Sequence, residues 1–119
     1  MAVRVLLVDD HPSFRATARL LLESEGFEVV GEAPDGASGL LAARALEPDL
    51  VLLDVQLPDI DGFEVAAQLT VGGAGPAVVI TSSRDASDFG PLVAASGARG
   101  VVPKAELSAA ALLSLMELV

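Results

Sequence analysis

The sequence predicts a doubly wound α/β domain, with five parallel strands in one sheet and five helices packed on its two faces. Three observations carry this expectation. The aliphatic runs Val3–Val8, Leu50–Leu53 and Ala77–Ile80 are continuous rather than alternating, as strands buried on both faces are. Segments with apolar residues three and four apart lie between them, so strand and helix alternate along the chain. Hydrophobic residues make up 52% of the chain, an excess that a sheet covered on both sides absorbs.

Taken in order, Val3–Val8 is the first strand and ends abruptly at Asp9-Asp10. Pro12 suits a first helical turn; Phe14, Ala18, Leu21 and Leu22 then mark one helix face, and Gly26 closes it. Phe27–Val30 reads as the second strand, and Asp35-Gly36 opens a helix over Ala37–Leu46 that Pro48 stops. Leu50–Leu53 is the third strand and again ends in an aspartate, Asp54. A loop with Pro58, Asp59, Asp61 and Gly62 leads to a helix over Phe63–Leu69, and Gly72, Gly73, Gly75 and Pro76 break the chain. Ala77–Ile80 is the fourth strand, ending in Thr81-Ser82-Ser83. The next helical segment runs to Ser96, with Gly90-Pro91 shortening or kinking it. Gly100–Val102 is a brief fifth strand before Pro103-Lys104, and Leu107–Leu118 is a final amphipathic helix. Parallel neighbours joined this way need right-handed crossovers.

Composition narrows the function classes. A chain of 119 residues without repeat, linker or low-complexity tail is one domain, residues 1–119. It has no cysteine, which excludes disulfide scaffolds, cysteine zinc sites, iron–sulfur clusters and thiol catalysis. A formal net charge of −10 argues against direct binding to nucleic acid or to an anionic membrane surface. The longest charge-free stretch, Val65 to Ser83, is interrupted by Gln68, Gly72, Gly73, Gly75 and Pro76, so it is no membrane span. Val5–Val8, between Arg4 and Asp9, is shorter than a signal-peptide core of about 7–15 residues. A cytoplasmic location follows as the expectation.

In doubly wound sheets ligands bind beyond the carboxyl ends of the strands. Asp9 and Asp10, then Asp54, then Thr81 or Ser82 stand at three of those ends, and Lys104 stands just past a fourth. Singly, each has an ordinary explanation: Asp10 can cap the first helix, and loop aspartates are common in acidic proteins. Jointly they place three carboxylates, a hydroxyl and an ammonium in one cleft. Such carboxylates repel, and a divalent cation relieves the repulsion; hard oxygen donors favour Mg²⁺ or Mn²⁺ over zinc. A carboxylate beside such an ion can attack a phosphoryl group to form an acyl phosphate. No GxxxxGK[ST] loop is present, which points away from ATP as direct donor and toward a small phosphodonor or a protein phosphohistidine.

The segments LLVDDHPSFR, LLDVQLPDIDG, VVITSS and GARGVVPK resemble the signature segments of bacterial two-component response-regulator receiver domains. The DDHP opening is most similar to the NarL/FixJ-type subgroup, and the resemblance covers essentially the whole chain in order. It implies a flavodoxin-like receiver fold. It implies further that Asp54 is the phosphoacceptor, Asp10 a direct Mg²⁺ ligand, Asp9 a ligand mainly through water, and Gln56 a ligand through its backbone carbonyl. Lys104 would pair with the phosphoryl group. Ser82, 22 residues before Lys104 and 15 before Gly97, fits the family's spacing for the switch hydroxyl, leaving Thr81 to point into the sheet. The implied partners are a sensor histidine kinase or a phosphotransfer protein, with a homodimer on phosphorylation. Catalysis would be limited to the chain's own aspartyl phosphorylation and dephosphorylation.

Several residues depart from the family pattern. Lys104 is followed by Ala105, not proline, and Pro103 precedes it. Val101 stands where relatives often carry a switch Tyr or Phe, so an aromatic gate cannot operate there in its usual form. Gly90-Pro91 disturbs the fourth helix, part of the usual output face. His11, the one histidine, is expected to be a loop residue without catalytic role, and Phe14 and Phe63 to be core. Gln56 and Arg84 flank the cleft where they can admit or block water. The last helix reaches Leu118-Val119 without a cap, as in a stand-alone receiver or the N-terminal part of a transcriptional regulator. Two other readings are a receiver-like interaction domain that is never phosphorylated and a haloacid-dehalogenase-like phosphohydrolase. The latter wants a second acid two residues after its nucleophile, where Gln56 stands.

Overall fold

Continuous aliphatic runs become strands here because each face of the sheet has its own helices to bury against. A computed structural model of the chain describes residues 2–73, 75–83 and 89–116. Its strands are β1 (Arg4–Val8), β2 (Glu28–Ala33), β3 (Leu50–Asp54), β4 (Ala77–Ser82) and β5 (Gly100–Pro103). They are all parallel, in the order β2-β1-β3-β4-β5. Between and after them lie α1 (Pro12–Ser24), α2 (Gly36–Leu46), α3 (Gly62–Thr70), α4 (Gly90–Ser96) and α5 (Ala109–Met116). This is the predicted doubly wound architecture.

The period-2 geometry of a strand divides each aliphatic run between two cores. Val5, Leu7, Leu50, Leu52 and Val79 face α1 and α5, packing with Ala18, Leu22, Ala109 and Leu112. Leu6, Val8, Val51, Leu53, Val78 and Ile80 face the other way, packing with Leu40 and Ala43 of α2 and with Val65 and Ala66 of α3. Among the described residues, no helix is long and apolar enough to cross a membrane.

Helix ends follow local chemistry. Gly26, at φ +96°, takes the left-handed conformation that ends α1. The Phe27 N–H then donates to Leu22 O at 2.9 Å, the bond of a Schellman closure, and both side chains enter the same core. Pro91 falls in the first turn of α4, which begins at Gly90; residues 84–88 of the expected helical segment lie outside the described residues.

Most boundaries agree with expectation to within one residue, and three differ by two or more. Strand β2 runs on past Val30 to Ala33, because an edge strand tolerates Gly31 and Glu32, and its register against β1 shifts between Val5 and Leu6. Strand β4 includes Thr81 and Ser82, both of them buried. Helix α5 begins at Ala109, not Leu107: Lys104–Glu106 form a 3₁₀ turn, and Ser108 Oγ accepts from Ala111 N at 3.1 Å as an N-cap does. The expected end of that helix at Leu118 lies outside the described residues.

Candidate functional site

Register alone assembles the site. Val8 pairs with Leu53 across β1 and β3, and Asp54 pairs with Thr81 across β3 and β4, so Asp9 and Asp54 leave adjacent strands side by side. Ser82 pairs with Pro103, which sets Lys104 one step beyond the end of β5. Asp9 and Asp54 are 2% and 3% exposed, whereas Asp10 is exposed in the loop above them.

Lys104 answers the two buried carboxylates together. Its Nζ stands 2.7 Å from Asp9 Oδ2 and 3.4 Å from Asp54 Oδ2, and lies 4.5 Å from the centroid of the Phe14 ring, a cation–π contact. Phe14 therefore serves both the core and the site. Asp54 Oδ1 accepts from Gln56 N at 3.3 Å. The Asp54 carboxyl is nevertheless pushed above its ordinary value, first by burial and then by the charge of Asp9, against the opposing pull of Lys104. One ammonium does not neutralise three carboxylates.

His11 lies in the loop after β1, as the N-cap of α1. Its N–H donates to Asp9 Oδ1 at 2.8 Å, which folds the loop back, and its ring then enters the acidic group. Nδ1 lies 2.9 Å from Asp9 Oδ1, 3.1 Å from Asp10 Oδ1 and 3.8 Å from Asp54 Oδ2. Asp9, Asp10, His11 and Asp54 offer ligand atoms within 4.8 Å of one another, and no other such group of His, Asp and Glu occurs among the described residues. Asp9 Oδ2 is buried and accepts no well-aligned hydrogen bond. Crowded oxygen donors with surplus negative charge fit a small hard cation.

A cleft of about 110 Å³ opens beside Asp54, lined by His11, Val55, Gln56, Ser82, Ser83, Phe89 and Lys104. Both Thr81 and Ser82 are buried residues of β4, but Ser82 lines this cleft and Thr81 does not. Gln56 is brought to the site; Arg84 lies outside the described residues. A wider depression of about 830 Å³ lies at the opposite end of the strands, by Val3, Asp49 and Ala77, away from this chemistry.

Two features escaped the sequence reading. Phe89, packed on Phe63 with ring centroids 5.7 Å apart, borders the cleft through a tertiary contact that has no local signature. Arg15 donates through Nη1 to the Asp9 carbonyl and through Nε to Glu32 Oε1 at 3.0 Å, while Arg19 Nε reaches Glu32 Oε2 at 2.8 Å. The four-residue spacing of Arg15 and Arg19 on α1 was a signal that the two share a face. These bonds hold the Glu32 carboxyl below its ordinary value, the Arg19 bond most of all.

Comparison with known proteins agrees with this fold. Residues 5–117 match the family model described as the response regulator receiver domain. The chain is 44% identical over 103 residues to BvgA, a virulence-factor transcription regulator of Bordetella pertussis, covering 87% of this chain and 49% of that protein. The signal receiver domain of NarL from Mycobacterium tuberculosis superposes with a TM-score of 0.85 at 35% identity, over 98% of both chains. A LuxR-family two-component response regulator from Aurantimonas gives a TM-score of 0.87 at 30% identity, over 98% of this chain and 86% of that one. The chain spans about half the length of these curated relatives.

Proposed function

The chain belongs to the response regulator receiver domain family, and on that premise we propose that Asp54 accepts a phosphoryl group and thereby switches partner binding. A carboxylate oxygen of Asp54 attacks the phosphorus in line. The O–P bond forms as the bond to the donor's leaving atom breaks, and an acyl phosphate results. The donor is the phosphohistidine of a sensor histidine kinase or a phosphotransfer protein, met in the cytoplasm. Catalysis is confined to this self-modification and its hydrolysis.

The supporting observation is the environment of Asp54. It is a buried strand-end carboxylate that opens on a small cleft, with Asp9 and Lys104 against it. Asp10 and Asp54 with the Gln56 carbonyl would hold Mg²⁺, with Asp9 acting mainly through water, and Mg²⁺ supplies there the positive charge that offsets the phosphoryl oxygens. Lys104 turns its ammonium from the carboxylates to the new phosphoryl group. Ser82, at the end of β4, donates its hydroxyl to the same group. A modification of about −1.5 to −2 charges then biases the surface around α4 and β5 toward a partner, including a second copy of the chain.

A second reading, an interaction domain that is not phosphorylated, draws support from Val101 in place of an aromatic switch. Reduction by borohydride decides between them. After incubation with acetyl phosphate and Mg²⁺, borohydride converts an aspartyl phosphate to homoserine, and peptide mapping locates it. Homoserine at position 54 is the expected result. Homoserine elsewhere, or none with Mg²⁺ bound and the donor left unconsumed, contradicts the assignment.

A further inference from the structure

We propose that His11 is a nitrogen ligand to the cation held by Asp10 and Asp54, so that the site prefers divalent transition metals such as Mn²⁺, Co²⁺ and Ni²⁺ to Mg²⁺. This deepens the metal-site reading above and rests on it.

The distances are those of a shared coordination sphere. In an octahedron with bonds of about 2.1 Å, ligands at adjacent corners stand about 3.0 Å apart and those at opposite corners about 4.2 Å. His11 Nδ1 lies 3.1 Å from Asp10 Oδ1, an adjacent-corner separation, and 3.8 Å from Asp54 Oδ2, within a few tenths of an ångström of the opposite-corner separation. Asp9 Oδ1, at 2.9 Å, stands outside the sphere and holds the ring's loop through the His11 N–H. Nδ1 can thus share one ion with Asp10 and Asp54 by small side-chain adjustments, without rebuilding the loop.

The loop also pre-sets the ring. His11 is the N-cap of α1, with Pro12 fixing the next φ, and its N–H is tied to Asp9 Oδ1 at 2.8 Å. The backbone that presents the imidazole is therefore anchored to a carboxylate of the same group. The side chain is 60% exposed, so its ring can adjust without disturbing either core. An all-oxygen set favours Mg²⁺, whereas an added imidazole moves preference along the series that rises from Mn²⁺ to Ni²⁺. The identity of the bound metal would then follow which divalent ion is available to the cell.

The same short distances also suit a ring N–H donating to the carboxylates, and the two arrangements predict opposite effects of removing the ring. Tag-free protein is titrated calorimetrically with MgCl₂, MnCl₂ and NiCl₂ beside His11→Ala, His11→Gln and Asp10→Asn variants. Electron spin-echo spectra of the Mn²⁺-loaded chain report a bound ¹⁴N, and with one histidine in the sequence that signal has one imidazole source. We expect both His11 variants to lose about tenfold or more in Ni²⁺ affinity with Mg²⁺ affinity changed less than about twofold, and imidazole nitrogen modulation in the parent alone. Equal changes for all three ions, tighter binding in the variants, or no imidazole modulation in the parent overturns the proposal. If the parent binds no divalent ion, the metal-site reading fails with it. Mg²⁺ binding that Asp10→Asn abolishes and His11 substitution leaves untouched, with Ni²⁺ equally indifferent, sinks the His11 assignment alone.

Discussion

Asp54 is held in an environment that opposes its charge. Burial and the neighbouring Asp9 raise its pKa above the ordinary 3.8, so the folded chain binds its proton more tightly than the unfolded chain does. The ionised group therefore costs stability at pH values above its folded pKa, and the cost fades as the pH falls through that value. Replacing Asp54 by Asn removes the penalty. In metal-free buffer at neutral pH, Asp54→Asn should melt higher, by about 0.5–2 kcal/mol in unfolding free energy, and calorimetry at descending pH should show the gap closing. An unchanged or lower melting temperature at neutral pH would contradict the electrostatic reading. At this scale the sequence was most informative where an acid directly follows an aliphatic strand, as Asp9 and Asp54 do. The side-chain position of His11 was not legible, since its rotamer depends on a backbone turn closed by Asp9 Oδ1.

The elements that carry the site are fixed by contacts outside it, notably the β3–α3 loop. Gly62, the first residue of α3, passes so close to β3 that a Cβ would sit 2.3 Å from the Asp54 carbonyl oxygen and 2.9 Å from Val55 Cα. Gly62→Ala must push the end of β3 or the start of α3 aside. We expect a loss of about 1–3 kcal/mol in denaturant unfolding, with Asp54 phosphorylated more slowly; parental stability and rate would show that the approach is not tight. The same loop caps α2. Asp59 accepts from Gly36 N and Ala37 N at 2.8 and 2.9 Å, and these bonds, Ala37's first, hold its carboxyl below the ordinary 3.8. A depressed acid stabilises the fold above its unfolded pKa and loses that contribution as the pH falls through its folded value. Asp59→Ala should therefore lower the melting temperature at neutral pH, with the deficit narrowing in acid; a deficit independent of pH would assign the loss to something other than the charge. Helices were readable from apolar spacing with proline and glycine at their limits, and strands from continuous aliphatic runs. The start of α5 was not, because Leu107 continues the apolar spacing while Ser108, a better cap, sets the actual boundary.

The whole molecule explains why scattered residues make one site. From β1 the chain moves outward to β2, then crosses to β3 on the other side of β1, which opens a crevice at the reversal. Asp9 and Asp54 occupy that crevice, and β4 and β5, paired next in order, add Ser82 and Lys104. Alternation of strands and helices predicted the layers, and the strand-end rule predicted where to look. The tie from Arg15 and Arg19 to Glu32 depends on β2 lying beside β1, which spacing within α1 alone could not give. The central claim is that this crevice phosphorylates its own Asp54 with the help of a divalent ion. The most direct test is intact mass after incubation with acetyl phosphate and Mg²⁺, beside Asp54→Asn and a metal-free control. A gain of about 80 Da, one phosphoryl group, that disappears in both controls is the predicted result. A gain that survives Asp54→Asn, or tight Mg²⁺ binding with neither a mass gain nor donor turnover, would contradict it.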